Sequence, residues 1–275
     1  MDRPTIAIVG PGRAGSTLAR ALTASGYYVA AVAGRHPEHA RALAYEVTAR
    51  PVSTPAAAAA LAELVILAVP DDAVAQVAAG LAAAEMEWGG KQAVHLSGAQ
   101  DRSVLAPLQA RGVETGVFHP LQTFRKAPEA VRNLPGTLIG IDADPPLRRR
   151  LEQVARDLRG EPFDLSGVNR PVYHAAAVLV ANYAITLLAE ATALMEEAGV
   201  ERKTAYRGLT RLLLGSAGNS LAVDDPAQAL TGPAARGDRG TVARHLRALS
   251  GDPELQEIYR LMADRTAALS NKEEK

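Results

Sequence analysis

The chain contains no cysteine, which removes disulfides, thiolate nucleophiles, cysteine-bound zinc and iron–sulfur clusters from the possible chemistry. Aromatic residues amount to 4% although apolar residues as a whole reach 48%. The core must therefore be built from alanine and branched aliphatics, a composition suited to closely packed helices. Neither sign of charge is in excess, with 30 basic and 30 acidic residues, and that balance excludes attachment to nucleic acid or anionic membrane driven by bulk charge. Lysine is scarce, supplying five of the basic residues, Lys91, Lys126, Lys203, Lys272 and Lys275. The opening MDRPTIAIVG lacks the apolar stretch of a secretory signal. The most apolar later segment, 172–195, holds His174, Asn182 and Glu190, groups that a bilayer strongly resists. The expectation is a soluble, cytoplasmic protein with no nucleic-acid or membrane partner.

What is present first is length: 275 residues are enough for two domains. Short apolar runs at 5–9, 28–33, 64–69, 93–96, 113–118 and 137–141 read as strands. The run 5–9 ends in Gly10 and is followed by helical spacing over 13–25; Pro70 ends the third run, and Asp71 or Asp72 is placed to cap a helix through Leu81. The alanine tract 56–60 also reads as helix. Strands alternating with helices predict an α/β, doubly wound sheet. Beyond about residue 165 no strand is predicted. A long helix is expected over 171–197, with Pro171 in its first turn and Gly199 just past its end, then helices at 201–214, 241–250 and 253–269. The predicted division is a dinucleotide-binding domain at 1–165 and a smaller all-α domain at 166–275, with a frayed tail at 271–275.

Gly10-Pro11-Gly12-Arg13-Ala14-Gly15 is a G-x-G-x-x-G fingerprint. Its place, after the first strand and at the start of the first helix, gives it weight. Gly10 permits the tight turn, Gly12 lets a pyrophosphate approach the backbone, and Gly15 lets helix and strand pack closely. The helix N-terminus offers amide donors to phosphate. An NAD site wants a carboxylate about 20 residues beyond the fingerprint, where this chain has Gly34-Arg35-His36 and no acid before Glu38. Arg35 suits a 2′-phosphate by charge and by its fork of donors, so NADP is favoured over NAD. Val69, Pro70 and Asp71 close the third strand at the same edge and are assigned to the cofactor as well.

In doubly wound sheets ligands bind beyond the carboxyl ends of the strands. Ser97 and Gly98 follow the fourth predicted strand, and His119 follows the fifth, with Pro120 fixing the backbone behind the ring. An imidazole there is a candidate proton partner for a hydride transfer. On the long helix His174, Val178 and Asn182 are spaced i, i+4, i+8, the outer two roughly 12 Å apart along the axis. Residues 230–238 break the helical pattern. In that loop Arg236 is a candidate carboxylate clamp, beside Thr231, and Asp238 is a candidate cap for the next helix. The pair His36 and His39 has metal-like spacing but is read as solvated on a surface loop with no third ligand; no metal site is assigned.

Together GPGRAG (10–15), VPDD (69–72), HLSGA (95–99) and FHPLQTF (118–124) resemble a group of dehydrogenase-like proteins. That group joins an N-terminal Rossmann-like NADP-oxidoreductase domain to a C-terminal all-helical domain of unassigned function. It is allied to pyrroline-5-carboxylate reductase and to the 6-phosphogluconate and β-hydroxyacid dehydrogenases. The similarity spans nearly the whole chain and includes the TGP…RGD pattern at 231–238. Ser97 and His119 also resemble prephenate dehydrogenases, which implies His119 as partner of a substrate hydroxyl with Ser97 assisting. β-Hydroxyacid dehydrogenases carry a catalytic Lys and, one turn later, an Asn on the corresponding helix. Counted back from the glycine at the helix end, Asn182 matches the Asn and Val178 the Lys. The lysine mechanism is therefore not carried over, and either His174 or His119 is left to move the proton. Allied families pack such helices across a dimer, which implies a homodimer through the helical domain.

The expected function is NADP-dependent hydride transfer to or from a small, carboxylated metabolite, catalysed by His119, Ser97, His174 and Asn182, with Arg236, Thr231 and Gly98 at the substrate. The rival expectation is a dinucleotide-binding sensor without turnover, kept open by Val178 in place of lysine.

Overall fold

The computed structural model describes residues 3–125 and 128–270; the tail 271–275 lies outside them. Eight strands form one sheet: β1 (Ile6–Val9), β2 (Val29–Ala33), β3 (Arg50–Val52), β4 (Leu64–Leu67), β5 (Gln92–His95), β6 (Glu114–Pro120), β7 (Leu138–Ala143) and β8 (Glu161–Asp164). Their order is β3-β2-β1-β4-β5-β6-β7-β8. The first six are mutually parallel. Strand β7 runs antiparallel to β6, and β8 parallel to β7. The chain winds outward from β1 to β3, then returns to lay β4 on the other side of β1. The gap at the carboxyl ends of β1 and β4 is thus the topological switch point, where such sheets bind ligands.

Alternation along the strands explains why both faces are covered. Ile6 and Ile8 of β1 point to one face, with Leu18 and Leu22 of α1 (Arg13–Ala24), Leu43 of α2 (Pro37–Glu46) and Leu151 of α6 (Pro145–Asp157). Ala7 and Val9 point to the other, with Ala58 of α3 (Pro55–Ala60), Val74 and Leu81 of α4 (Asp71–Ala82), and Leu108 of the short α5 (Ala106–Gln109). A strand buried on both sides reads as an unbroken apolar run, and that is how β1, β2 and β4 appear in the sequence. The two strands missing from the sequence reading, β3 and β8, lie at the two edges of the sheet. Each is short, carries a proline and is partly exposed; edge strands tolerate proline and need no apolar alternation.

Three local expectations are corrected. His119 lies within β6, paired with Gly140 of β7, because the antiparallel neighbour extends β6 through Pro120. Neither Asp71 nor Asp72 makes a capping bond: Pro70 occupies the cap position, and both acids fall in the first turn of α4, where they complement the helix dipole. His36 and His39 are not on a loop: His36 is the cap residue of α2 and His39 lies in its first turn.

The chain divides into two compact units after Asn182. The strands do end at Asp164, next to the boundary expected at residue 165, but α7 (Arg170–Val178) belongs to the first unit. Asn169 caps α7 by accepting from the amide of Val172. A π-helical turn, Leu179–Tyr183, interrupts what the sequence presents as one helix, and α8 (Ala184–Glu197) follows. The run Arg170–Glu197 is long and apolar enough to cross a bilayer by length and composition, with a window of mean hydropathy 1.6.

The second unit contains α8, α9 (Arg202–Ser220), α10 (Arg239–Ala248) and α11 (Pro253–Ser270). Among its described residues the buried apolar side chains are Leu188, Ala205 and Ala227. Ile185, Leu187, Tyr206, Leu212, Leu214, Ile258, Leu261 and Met262 are exposed. Helices with so little apolar surface covered do not account for their own stability.

Candidate active site

The first half of the site grows from the loop after β1. Gly10 has φ +104°, and a Cβ there would lie 2.5 Å from the carbonyl oxygen of Ala68, so no other residue makes this turn without strain. Gly12 caps α1 with no side-chain bond and has open space where a Cβ would stand. The first amides of α1 therefore face a clear approach, which is the arrangement that binds phosphate. Gly15 is buried, and a Cβ there would run into the carbonyl oxygen of Gly10 and the Cβ of Ala68, just past β4.

A cavity of about 740 Å³ opens over this loop. It is bounded by Gly10, Pro11 and Gly12, by Arg35, His36 and His39 after β2, by Ser53 after β3, and by Val69, Pro70 and Asp72 after β4. Of the residues assigned to the cofactor from sequence, Gly10, Pro11, Gly12, Arg35, Val69 and Pro70 line it. Arg13, Ala14, Gly15 and Asp71 do not. Arg13 and Asp71 are exposed on first helical turns, and Gly15 packs. The next residue, Asp72, takes the lining position expected of Asp71.

At the end of β5 a buried histidine shapes the loop. The Nδ1 of His95 accepts from the amide of Ser97 at 3.2 Å, which leaves Nε2 as the protonated nitrogen, donating to the carbonyl of Asp101 at 3.1 Å. Burial pushes the His95 pKa down, which keeps the ring in that neutral tautomer. Ser97 is buried, and its Oγ accepts from the amides of Ala99 and Gln100. Its hydroxyl oxygen is thus committed to folding the loop, and it is not among the residues lining the cavities at this edge. Gly98 presses on His119: a Cβ at Gly98 would stand 2.7 Å from both Cε1 and Nε2 of that ring. Gly98 seats the imidazole.

The second half of the site is an apolar cavity of about 650 Å³ in the same unit, walled by His119, Leu121, Gln122 and Thr123 from the end of β6 and by Tyr173, His174, Val178 and Asn182 from α7 and the π-turn. A few polar groups on an apolar wall are the usual composition of a small-molecule site. The phenol of Tyr173 and Nδ1 of His119 are 2.8 Å apart, with the rings edge to face. Burial, with the nearby His174 and the Arg170 cation adding to it, pushes the His119 pKa down to about 4. Burial raises that of Tyr173. Both groups are therefore neutral at physiological pH. If Tyr173 donates, Nε2 of His119 carries the ring proton and is a donor; if Nδ1–H donates, Nε2 is an acceptor. The pair can give one proton when Nε2–H leaves and the phenol proton of Tyr173 passes to Nδ1, which leaves Tyr173 as a phenolate; the reverse transfer takes one up.

Arg170, buried beneath, bonds Asp142 of β7 at 2.9 Å. It holds the first turn of α7, and so Tyr173, to the sheet. His174 faces the cavity with a buried Nδ1 that has no partner among the described residues. Asn182 also lines the cavity, so the spacing read from sequence does bring His174, Val178 and Asn182 to one wall. Thr231 and Arg236 lie on an exposed turn of the second unit. Asp238 caps α10, accepting from the amide and the hydroxyl of Thr241 at 2.9 and 2.7 Å. Among the described residues no group of three or more His, Asp or Glu is placed to hold a metal ion.

Residues 1–120 match the Rossmann-like domain, and residues 137–266 match a domain of unknown function, DUF2520. No curated protein matches the chain in sequence. Among solved structures, a candidate NADP oxidoreductase from Bacteroides fragilis is 27% identical over 97% of this chain and 98% of its own, with a TM-score of 0.77. A pyrroline-5-carboxylate reductase from Coxiella burnetii is 17% identical over 98% of each chain, TM-score 0.63. A reductive aminase from Aspergillus terreus, solved with NADPH and ethyl-5-oxohexanoate, is 22% identical over 98% of this chain and 91% of its own, TM-score 0.63. The last two likenesses are of fold.

Proposed function

We propose that this chain, which joins a Rossmann-like domain to a DUF2520 domain, is an NADP-dependent oxidoreductase acting on a C=N or C=O bond of a small metabolite. The metabolite is carboxylated, as the substrate named for a similar reductase is. The observation that carries the reading is the placing of two cavities along one edge of one sheet. One lies over the open amides of Gly10–Gly12, and the other holds the neutral His119–Tyr173 pair. Gly10, Pro11 and Gly12 would hold the pyrophosphate and Arg35 the 2′-phosphate. The nicotinamide supplies the hydride when bound. His119 Nε2 gives its proton to the heteroatom of the substrate double bond while Tyr173 passes its own to Nδ1, and a proton from solvent restores the Tyr173 phenolate that is left. In the oxidative direction the same atoms accept it. The buried Nδ1 of His174 meets a second polar group of the substrate. The apolar wall from Leu121 and Val178 excludes water.

The same reading makes the chain a cytoplasmic homodimer. A second copy, in place of lipid, covers the apolar helices of the second unit; Glu190 within the long apolar run is costly in a bilayer and harmless in a wet interface.

The test is titration with NADPH and NADH, followed by NADPH oxidation against cyclic imines, amine–ketone pairs and keto acids, for wild type and His119→Ala. The expected result is tighter NADPH binding, turnover with at least one class, and about a hundredfold loss in the variant. Tight NADPH binding with no turnover across the panel would overturn the catalytic reading.

A further inference from the structure

Arg170 opens α7, and its side chain is 5% exposed. Its Nη2 donates to Asp142 at 2.9 Å, while Nη1 is buried and has no partner among the described residues. Asp142 is shared: Ser166 donates to its Oδ1 at 3.4 Å, and Nε of Arg102 lies 4.0 Å from the same oxygen. Burying a guanidinium with one nitrogen unbonded is costly, and a buried ion pair kept only to fasten a helix is commonly no better than apolar packing. Pinning α7 to β7 therefore does not account for the cation. Its surroundings do. Tyr173 stands three residues on, on the same side of the helix, with its phenol 2.8 Å from Nδ1 of His119. When that pair gives a proton to a substrate, Nε2–H leaves, the phenol proton passes to Nδ1, and a negative charge is left on the Tyr173 oxygen beside an apolar wall. A phenolate taken out of water in this way needs a cation near it.

We propose that Arg170 acts through Tyr173: its guanidinium stabilises the phenolate, so that the pair works between a neutral and an anionic state and never passes through a charged imidazole. The inference rests on the reading that His119 and Tyr173 move the substrate's proton. The other titratable groups acting on the pair are His174 from α7, His95 from β5 and Asp71 from the first turn of α4. Around Arg170 itself stand Asp142 of β7 and, after β5, Asp101 and Arg102. Of the cationic groups acting directly on the pair, arginine alone keeps its positive charge at every working pH. Burial raises the Tyr173 pKa, and the Arg170 cation pulls against that rise. On His119 burial depresses the pKa, with His174 and Arg170 adding to it. One cation thus favours an anion on the oxygen and disfavours a cation on the ring. The unbonded Nη1 is donor capacity that the resting structure leaves unused. A proton from solvent then returns the phenolate to phenol. Asp142 offsets part of the guanidinium's field, which makes it the handle for a test.

The experiment builds the full chain with ring-fluorinated tyrosine, a more acidic phenol, and follows each ring by fluorine NMR against pH; Tyr173→Phe identifies the signal of residue 173. Arg170→Met should move that titration up by about one pH unit or more, and Asp142→Asn, which keeps an acceptor for the guanidinium but removes its countercharge, should move it down. Arg170→Lys, which keeps a charge, should recover part of the rise. In NADPH oxidation with whichever of the cyclic imines, amine–ketone pairs or keto acids turns over, Arg170→Met should lose up to about tenfold in kcat, the factor equivalent to one unit of phenol acidity. A purely structural role would shift the Met and Asn variants in the same direction or not at all, and either result overturns the inference. No turnover with any class, or a Tyr173→Phe variant with wild-type kcat, defeats the reading of the pair itself. A slow Tyr173→Phe with both titrations unmoved leaves that reading standing and overturns the inference alone. Melting temperatures check folding; should Arg170→Met not fold, the downward move in Asp142→Asn decides, and its absence overturns the inference.

Discussion

The phenol oxygen of Tyr173 lies 2.8 Å from Nδ1 of His119, and the two residues come from different layers, one from α7 and one from β6. The bond is the point at which the helix completes a group that the sheet presents. A histidine held neutral is a poor acid by itself, and a buried tyrosine is a poor one too. Joined, they deliver a proton without either becoming charged in the resting state. Removing the hydroxyl in Tyr173→Phe should lower kcat by about tenfold or more while leaving NADPH affinity unchanged. The His119→Ala/Tyr173→Phe double variant should be no slower than His119→Ala, because residues acting as a unit are not additive. Independent, multiplying losses in steady-state kinetics would show that the two do not work as a pair.

Gly98 is the seat of that imidazole. A methyl group added there would occupy space 2.7 Å from Cε1 and Nε2, and the ring must turn or the loop must move. Gly98→Ala should reduce kcat by roughly ten- to a hundredfold, the scale expected when a reacting group is displaced by about an ångström. The cofactor loop is elsewhere on the sheet edge, so NADPH affinity should hold. A variant with wild-type kcat would mean that the position of His119 is unimportant to the reaction.

The depressed His119 pKa also has a consequence for stability. The folded value is about 4 and the unfolded value 6.5. Between these the unfolded chain binds a proton that the folded chain refuses, so stability falls as pH drops through that window. The contribution is fully present above about pH 6.5 and is on the order of 3 kcal/mol at most. Burial shifts His95 the same way. Urea unfolding at pH 7.5 and 4.5 should show a steeper acid loss in wild type than in His119→Gln; parallel slopes would refute the assignment. Carboxylates such as Asp164, held low by Arg148, add their own acid loss to both proteins and cancel in the comparison.

Much of this was legible in the sequence, and what escaped did so for identifiable reasons. The strands buried on both faces announced themselves, as did the glycine loop, because its role depends on main-chain geometry that only glycine supplies. The edges of the sheet were silent: β3 and β8 carry prolines and are held by one neighbour each. His119 was found as an ionisable ring before a proline, but its placement inside β6 depends on pairing with β7, a long-range contact. Tyr173 stood beside His174 in the segment VYHAAAV, where a hydroxyl in an apolar helix was a usable signal that went unread. The Arg170–Asp142 pair left no local trace at all, since 28 residues separate the partners. Ser97 shows the converse: it follows β5 as the apolar run predicts, yet its oxygen accepts from two amides of its own loop, which no spacing rule reveals.

The second unit supplies the last expectation. Leu212 and Leu214 of α9 are 66% and 59% exposed, and Ile258, Leu261 and Met262 of α11 are all more than two-fifths exposed. Scattered apolar side chains on a surface are ordinary, but this many on the helices of a unit with three buried apolar residues among those described make a surface that water disfavours. An interface between two copies would remove it, and obligate homodimer interfaces are the more apolar kind. Light scattering coupled to size exclusion should therefore report a dimer at micromolar concentration. Leu212→Glu combined with Leu261→Glu should shift it to monomer and lower the melting temperature, since association and folding are linked when neither copy covers its own helices. A monomer of wild-type stability would refute the dimer. A wild-type protein recovered only in detergent would assign the apolar run Arg170–Glu197 to lipid instead.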